Sequence, residues 1–392
     1  DDIQFSCISW GGNSLYSDNE YMTAANAAAI ASVGGMGNMD IQSLQKALSG
    51  KNLYVSASIA STMQGMNGNS NVKDLETALQ WMHGNFVVPR KDPAMFNVLM
   101  QNFKAGLENK DKEPGSVFDD SVSYIMGNYH PRRKPMGLAD LTRIDLDRAF
   151  AIYQERFSNA GQFLFTFVGN FTTESIQPLI EKYIASLPGN PNKETWKDVG
   201  IRYPEGRINK IIRKGKDNKA SVRLYFTGDK GYAESDELQL NQLCKALSIK
   251  LREVLREDAG GVYGVGVNGG ISHEPTTSYS ISIRFGCAPE NVDKLVALVN
   301  DEIKNLKTNG IEQTNIDKVI AEQIRANESS IKDNSYWRYN LENLFFRNED
   351  PLKILDAPQR IKQFTVERSK VLANKYFDDK NTVQLVLLPE KK

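Results

Sequence analysis

The sequence predicts an α+β fold of two homologous domains, each a largely antiparallel sheet with helices packed on one face. Three observations carry this. The chain has 392 residues, too long for one ordinary domain and long enough to bury two cores. It matches itself when slid by about 220 residues, the mark of a duplicated unit. Within each copy, alternating apolar runs are interleaved with runs of three-and-four spacing, the mixture that packs helices against one side of an antiparallel sheet.

In chain order, the first copy opens on a strand, Ile3-Gln4-Phe5-Ser6-Cys7-Ile8, closed by Trp10-Gly11-Gly12. It stands opposite Val222-Arg223-Leu224-Tyr225-Phe226, closed by Gly228. An acidic segment follows each, Ser17-Asp18-Asn19-Glu20 or Glu234-Ser235-Asp236-Glu237, and offers N-caps to an apolar helix. A middle pair of strands comes next. Residues 75–86 (LETALQWMHGNF) and 295–306 (LVALVNDEIKNL) are matched helices by their apolar spacing. Two or three long helices then lead to residues 157–169 (FSNAGQFLFTFVG) and 377–389 (FDDKNTVQLVLLP), each a helix exit followed by a closing strand.

The joint falls in Pro188-Gly189-Asn190-Pro191-Asn192-Lys193, a loop-forming composition. Domains are therefore expected at 1–190 and 206–392, with 191–205 as linker. The second copy carries an additional strand candidate, Arg207-Ile208-Asn209-Lys210-Ile211-Ile212, ahead of its first matched strand. The first copy has no counterpart, so its first strand is expected upstream of Asp1. The missing initiator methionine points the same way, to a fragment or processed product. The last strand, 382–388, runs almost to the end, and no further domain is expected after it.

Lys plus Arg and Asp plus Glu both number 48, so no global field draws the chain to nucleic acid or an anionic membrane. No apolar run approaches the roughly 20 residues that span a bilayer, and no signal peptide opens the chain; a soluble protein is expected. Cys7, Cys244 and Cys287 sit in apolar settings without C-x-x-C spacing and read as buried small hydrophobes.

Gly264-Val265-Gly266-Val267-Asn268-Gly269 spells G-x-G-x-x-G, but it lies within strand-like alternation and is followed by Ile271-Ser272-His273-Glu274-Pro275. A phosphate cradle needs a helix there. His83, His130 and His273 have no ligand partner at helical spacing, and neither H-E-x-x-H nor H-x-x-E-H occurs. His130 belongs to a basic loop, Tyr129 to Pro135, read as solvated rather than as an anion site. No serine or cysteine sits in a familiar nucleophile signature. Asp119-Asp120 reads as solvated helix face or cap, and the sequons at Asn170 and Asn327 are too common by chance to inform.

Arg256 and Tyr263 stand apart. Arg256 ends a helix, Gly260 and Gly261 follow, and Tyr263 opens a strand. As packing residues they would be a cation on a helix's last turn and a half-buried strand aromatic. In the first copy the register puts Ser49 and Tyr54 in their places, so the pair belongs to the second domain alone. Duplicated folds keep packing residues in both copies more readily than working ones, which tilts the pair toward function.

These landmarks resemble the pitrilysin/insulinase metallopeptidases over nearly the whole chain. The first copy carries in order Gly127-Asn128-Tyr129-His130-Pro131, Leu141-Thr142-Arg143-Ile144-Asp145-Leu146, Phe157-Ser158-Asn159-Ala160, Phe167-Val168-Gly169-Asn170 and Tyr183-Ile184-Ala185-Ser186-Leu187-Pro188. The second carries Leu251-Arg252-Glu253-Val254-Leu255-Arg256-Glu257-Asp258 through Gly261-Val262-Tyr263. The resemblance implies the LuxS/MPP-like metallopeptidase fold and a clam-shell of two halves enclosing a chamber in which peptides are cut. Zinc, its ligands and the general base lie in the N-terminal half; the C-terminal half supplies an arginine and a tyrosine. In this chain the helix that would hold the zinc motif reads Tyr21-Met22-Thr23-Ala24-Ala25-Asn26-Ala27-Ala28-Ala29, without histidine or glutamate. The chain thus resembles the C-terminal, non-zinc half of a large secreted or periplasmic bacterial member, cut inside its third domain. Zinc is expected in the absent N-terminal half and none on this chain, whose partners would be that half and a peptide substrate. Tyr263 would donate to the scissile carbonyl oxygen, Arg256 would hold substrate, and Gly260, Gly261, Gly264 and Gly266 would keep the approach clear. The alternative is a non-catalytic partner subunit or peptide-binding protein of the same fold.

Overall fold

The computed structural model describes residues 2–229, 233–259, 262 and 264–391, with the side chains of Glu234 and of residues 256–259 outside the description. The chain forms two compact units, Asp1–Glu108 with Met136–Val199 and Ser329–Ile354, and Asn109–Pro135 with Gly200–Glu328 and Leu355–Lys392. The expected boundaries near 190 and 206 divide the two sheets. The units differ from them by one exchanged segment in each direction.

The first sheet contains β1 (Asp2–Trp10). The chain then forms α1 (Tyr21–Ser32), α2 (Ile41–Ala47), β2 (Leu53–Ile59), β3 (Met63–Asn71), α3 (Leu75–Val87), α4 (Pro93–Lys110), α5 (Pro114–Met126), α6 (Leu146–Phe157), β4 (Leu164–Gly169) and α7 (Thr173–Tyr183). The strands are antiparallel in the order β2-β3-β1-β4. Alternation along β1 sends Ile3, Phe5 and Cys7, all fully buried, to one face. There they meet the alanine stripe Ala24, Ala27, Ala28 and Ala31 of α1, Leu79 and Met82 of α3, and Ile152, Tyr153 and Phe157 of α6. Gly68 of β3 is required by close approach: a Cβ there would stand 2.5 Å from the Phe5 ring and 2.4 Å from the Tyr54 carbonyl oxygen. The first part of the expected linker is docked in this unit. Glu194 pairs at 2.6 Å with the buried Arg156, and the Trp196 ring lies 4.6 Å from that of Trp10.

The second unit repeats the plan through β5 (Arg207–Arg213), β6 (Ala220–Gly228), α8 (Glu234–Ala259), β7 (Val265–Ser272), β8 (Ser278–Cys287), α9 (Val292–Asn309), α10 (Gln313–Ser330), α11 (Asn334–Phe346), α12 (Ala357–Ile361), α13 (Val366–Tyr376) and β9 (Thr382–Leu388). Its order is β5-β9-β6-β8-β7, antiparallel except for the parallel β5–β9 pair. The additional strand read at 207–212 thus forms and takes an edge. Val222 and Leu224 of β6, Ile281 and Ile283 of β8, and the buried stripes of α8, α9 and α13 make this core.

The reverse face of each sheet also carries a helix, an arrangement absent from the sequence reading of helices on one face. In the first unit the cover is α11, from the second copy. Its buried Glu342 accepts from the Ser6 hydroxyl of β1 and pairs with Arg338 at 3.3 Å, while Phe346 packs on Trp10 at 4.3 Å. In the second unit the cover is α5, from the first copy, whose Phe118, Val122 and Ile125 pack on Val383 and Leu385 of β9. The two helices start about 220 residues apart and are equivalent in the repeat. Each is followed by an asparagine in the left-handed region, Asn128 (φ 50°) and Asn348 (φ 57°), which that side chain tolerates. Asp119, exposed on its helix face as read, also pairs with Arg223 of β6, and the partly buried Asp120 pairs with Lys110 at 2.6 Å.

Candidate functional site

The candidate site lies where α8 gives way to β7. The spacing of Leu240, Leu243, Leu247, Leu251 and Leu255, all fully buried, lays α8 along the sheet. Arg256 is the next residue, in the last turn of that helix, and its side chain is outside the description. Gly260, Gly261 and Tyr263 also lie outside the described residues. The geometry described is that of their flanks.

Among the described residues β7 is the edge of its sheet, paired only with β8. Val265 and Val267 are buried toward α8, and Ser248 of that helix donates to the Val265 carbonyl at 3.4 Å. Gly269 is on the same face, where a Cβ would stand 2.6 Å from the Cys244 sulfur. The opposite face carries Gly266, Asn268, Gly270 and Ser272, beside Arg284, Ser282, Ser280 and Ser278 of β8. A Cβ added at Gly264, Gly266 or Gly270 would meet nothing within 4 Å. The apparent dinucleotide motif is strand, with no helix after it, so it is no phosphate cradle.

At its other end α8 is anchored by a cluster that sequence reading missed. Asp236, 2% exposed, accepts from the Tyr376 hydroxyl at 2.5 Å, from Lys375 at 2.7 Å and from Arg368. Burial would raise this carboxyl; the hydrogen bonds from Lys375 and Tyr376 outweigh it and hold the carboxyl below its ordinary range. The partners come from α13, more than a hundred residues away, and no local spacing signals them. Tyr279 packs edge-on against Tyr376 at 4.9 Å, and burial pushes its phenol up to about 12.

The histidines do not converge. His83 Nδ1 lies 2.8 Å from the Tyr183 carbonyl oxygen, His130 accepts from the Arg132 amide at 3.2 Å, and His273 is 3.6 Å from Glu237. Among the described residues no three of His, Cys, Asp and Glu could hold a metal, so the described residues do not fit a zinc centre. The three cysteines are buried and unbridged, and burial pushes the Cys244 thiol up to about 12. No described helix is long and apolar enough to cross a membrane.

Comparison with known proteins matches residues 143–323 to the peptidase M16 inactive domain. A relative from Arabidopsis thaliana, described as "Zinc protease PQQL-like", is 27% identical over 72% of this chain and 32% of its own length. The periplasmic protease PqqL from Escherichia coli superposes with a TM-score of 0.86 at 19% identity, over 99% of this chain and 43% of that one. A peptidase M16 inactive domain from Pseudomonas fluorescens does so with 0.81 at 18% identity, over 100% of this chain and 93% of that one. The chain thus spans about two fifths or less of the curated relatives it matches, and at these identities the structural likeness establishes the fold.

Proposed function

Because the chain carries a peptidase M16 inactive domain, as its resemblance to the pitrilysin/insulinase enzymes implied, we propose that it is the C-terminal half of a zinc metalloendopeptidase that cuts peptides or unfolded proteins in an enclosed chamber. The match over residues 143–323 is the observation that carries this reading. Residues 1–190 and 206–392 are then the third and fourth homologous domains of the complete enzyme. Zinc belongs to the N-terminal half, the partner of this chain, and the periplasmic location of the E. coli neighbour supports a periplasmic or secreted setting.

This chain's own contribution is to substrate. Peptide cleavage gathers negative charge on the scissile carbonyl oxygen, and a donor fixed at that oxygen stabilises the transition state more than the ground state. Tyr263 is the proposed donor. Arg256, with its planar fork, holds a substrate carbonyl or carboxylate nearby, and Gly260 and Gly261 keep the approach free of side chains.

Removing one such donor costs roughly 10²–10³ in rate. In the complete enzyme, Tyr263→Phe is expected to lower kcat by about that factor and to leave KM for a quenched unstructured peptide nearly unchanged. Unchanged turnover would remove Tyr263 from the mechanism. Peptide binding without turnover, in the complete protein with zinc supplied, would instead support the non-catalytic partner reading.

A further inference from the structure

We propose that β7 takes an extended peptide as an added strand, and that Arg284, reaching across Gly266, selects a peptide bearing a carboxylate at that level. An unpaired strand edge is a template for another strand, and proteins that have no use for one blunt it with charge or proline. The two edges of this sheet differ in that respect. β5 carries Arg207, Lys210 and Arg213, whereas β7, VGVNGGIS, has neither charge nor proline. Beyond β7 no further strand pairs among the described residues.

The selectivity follows from the register. Gly266 is paired with Arg284 of β8, so the arginine stands one strand in from the edge with no side chain between it and the edge. A residue on an added strand at the level of Gly266 would lie two strand spacings from Arg284, about 9.6 Å between backbones. A long guanidinium and a carboxylate approaching from opposite sides close that gap. Arg284 is exposed and has no hydrogen-bond or ion-pair partner among the described residues. The rest of the surface, Asn268, Gly270, Ser278, Ser280 and Ser282, is small and uncharged, which suits an extended backbone of varied sequence. The equivalent strand of the first unit, β3, reads MQGMNGNSN and carries no charge, so the cation is particular to the second.

This deepens the substrate-binding part of the reading above and rests on it for peptide as the ligand, but uses neither Tyr263 nor zinc. The test is fluorescence anisotropy of the full 392-residue chain with fluorescein-labelled short unstructured peptides carrying one central Glu, Gln or Lys. Saturable binding is expected, with Glu preferred to Lys by about two- to fivefold, the range of an exposed ion pair. Arg284→Glu should invert that order. N-methylation of alternate amides should abolish binding in one phase and spare it in the other, because only one set of amides faces the edge. Absence of saturable binding, equal effects of both phases, or a preference unmoved by Arg284→Glu would each overturn the proposal. Binding that obeys these rules, in a protein whose turnover ignores Tyr263→Phe, would keep strand addition and discard the catalytic role.

Discussion

At the scale of single residues, Asp236 shows how one buried charge fixes the start of the helix that leads to the candidate site. Its carboxylate is held below its ordinary value of 3.8 by Lys375 and Tyr376 against the cost of burial. A depressed carboxyl contributes stability that is fully present above the unfolded value and lost as pH falls through the folded one. Asp236→Asn is therefore expected to lower unfolding stability by about 1.5–3 kcal/mol at neutral pH, the range for hydrogen bonds to a charged group. Urea unfolding of both proteins at pH 7 and near pH 3 checks this: the difference should shrink at the acid end. An equal loss at both would show that the side chain's shape, rather than its charge, was responsible.

At the scale of elements, the exchanged helices decide how the reverse faces are covered. Phe118, 1% exposed, lies against Val383 and Leu385 and under the Arg223 guanidinium, 4.8 Å from its ring centre. Phe118→Ala should cost about 3–5 kcal/mol, as truncating a buried aromatic does, whereas Val98→Ala on an exposed position of α4 should change thermal unfolding very little. The strands and the helices at 75–86 and 295–306 were readable because an alternating or three-and-four pattern encodes which residues share a face. It does not encode what that face will meet. Nothing in the local pattern of α5 says that its host is β9, and nothing around Glu342 marks its contacts with Ser6 and Arg338. The same limit applies at the site. Gly264 and Gly266 were visible as gaps in an alternation, while Arg284 was one more outward position on a strand until its register beside Gly266 was known.

At the scale of the whole chain, each unit is assembled from both halves of the sequence. The first unit takes Ser329–Ile354 from beyond the expected linker, and the second takes Asn109–Pro135 from before it. Burying Phe118, Val122 and Ile125 is worth about 1.5–3 kcal/mol per side chain, a sum comparable with the net stability of a domain, about 5–15 kcal/mol. Neither half of the sequence alone should then hold its sheet in the native state. A protease site inserted at Gly200, an exposed residue outside helix and strand with a φ of +82°, separates the chain into one piece that carries α5 and another that carries α11. After cleavage the two pieces are expected to elute together on size exclusion and to unfold near the temperature of the intact chain. The same pieces expressed separately should bind a hydrophobic dye through their uncovered sheet faces. If the cleaved pieces instead came apart as two folded monomers, the exchanged helices would be dispensable and the linear domains 1–190 and 206–392 would be the true folding units.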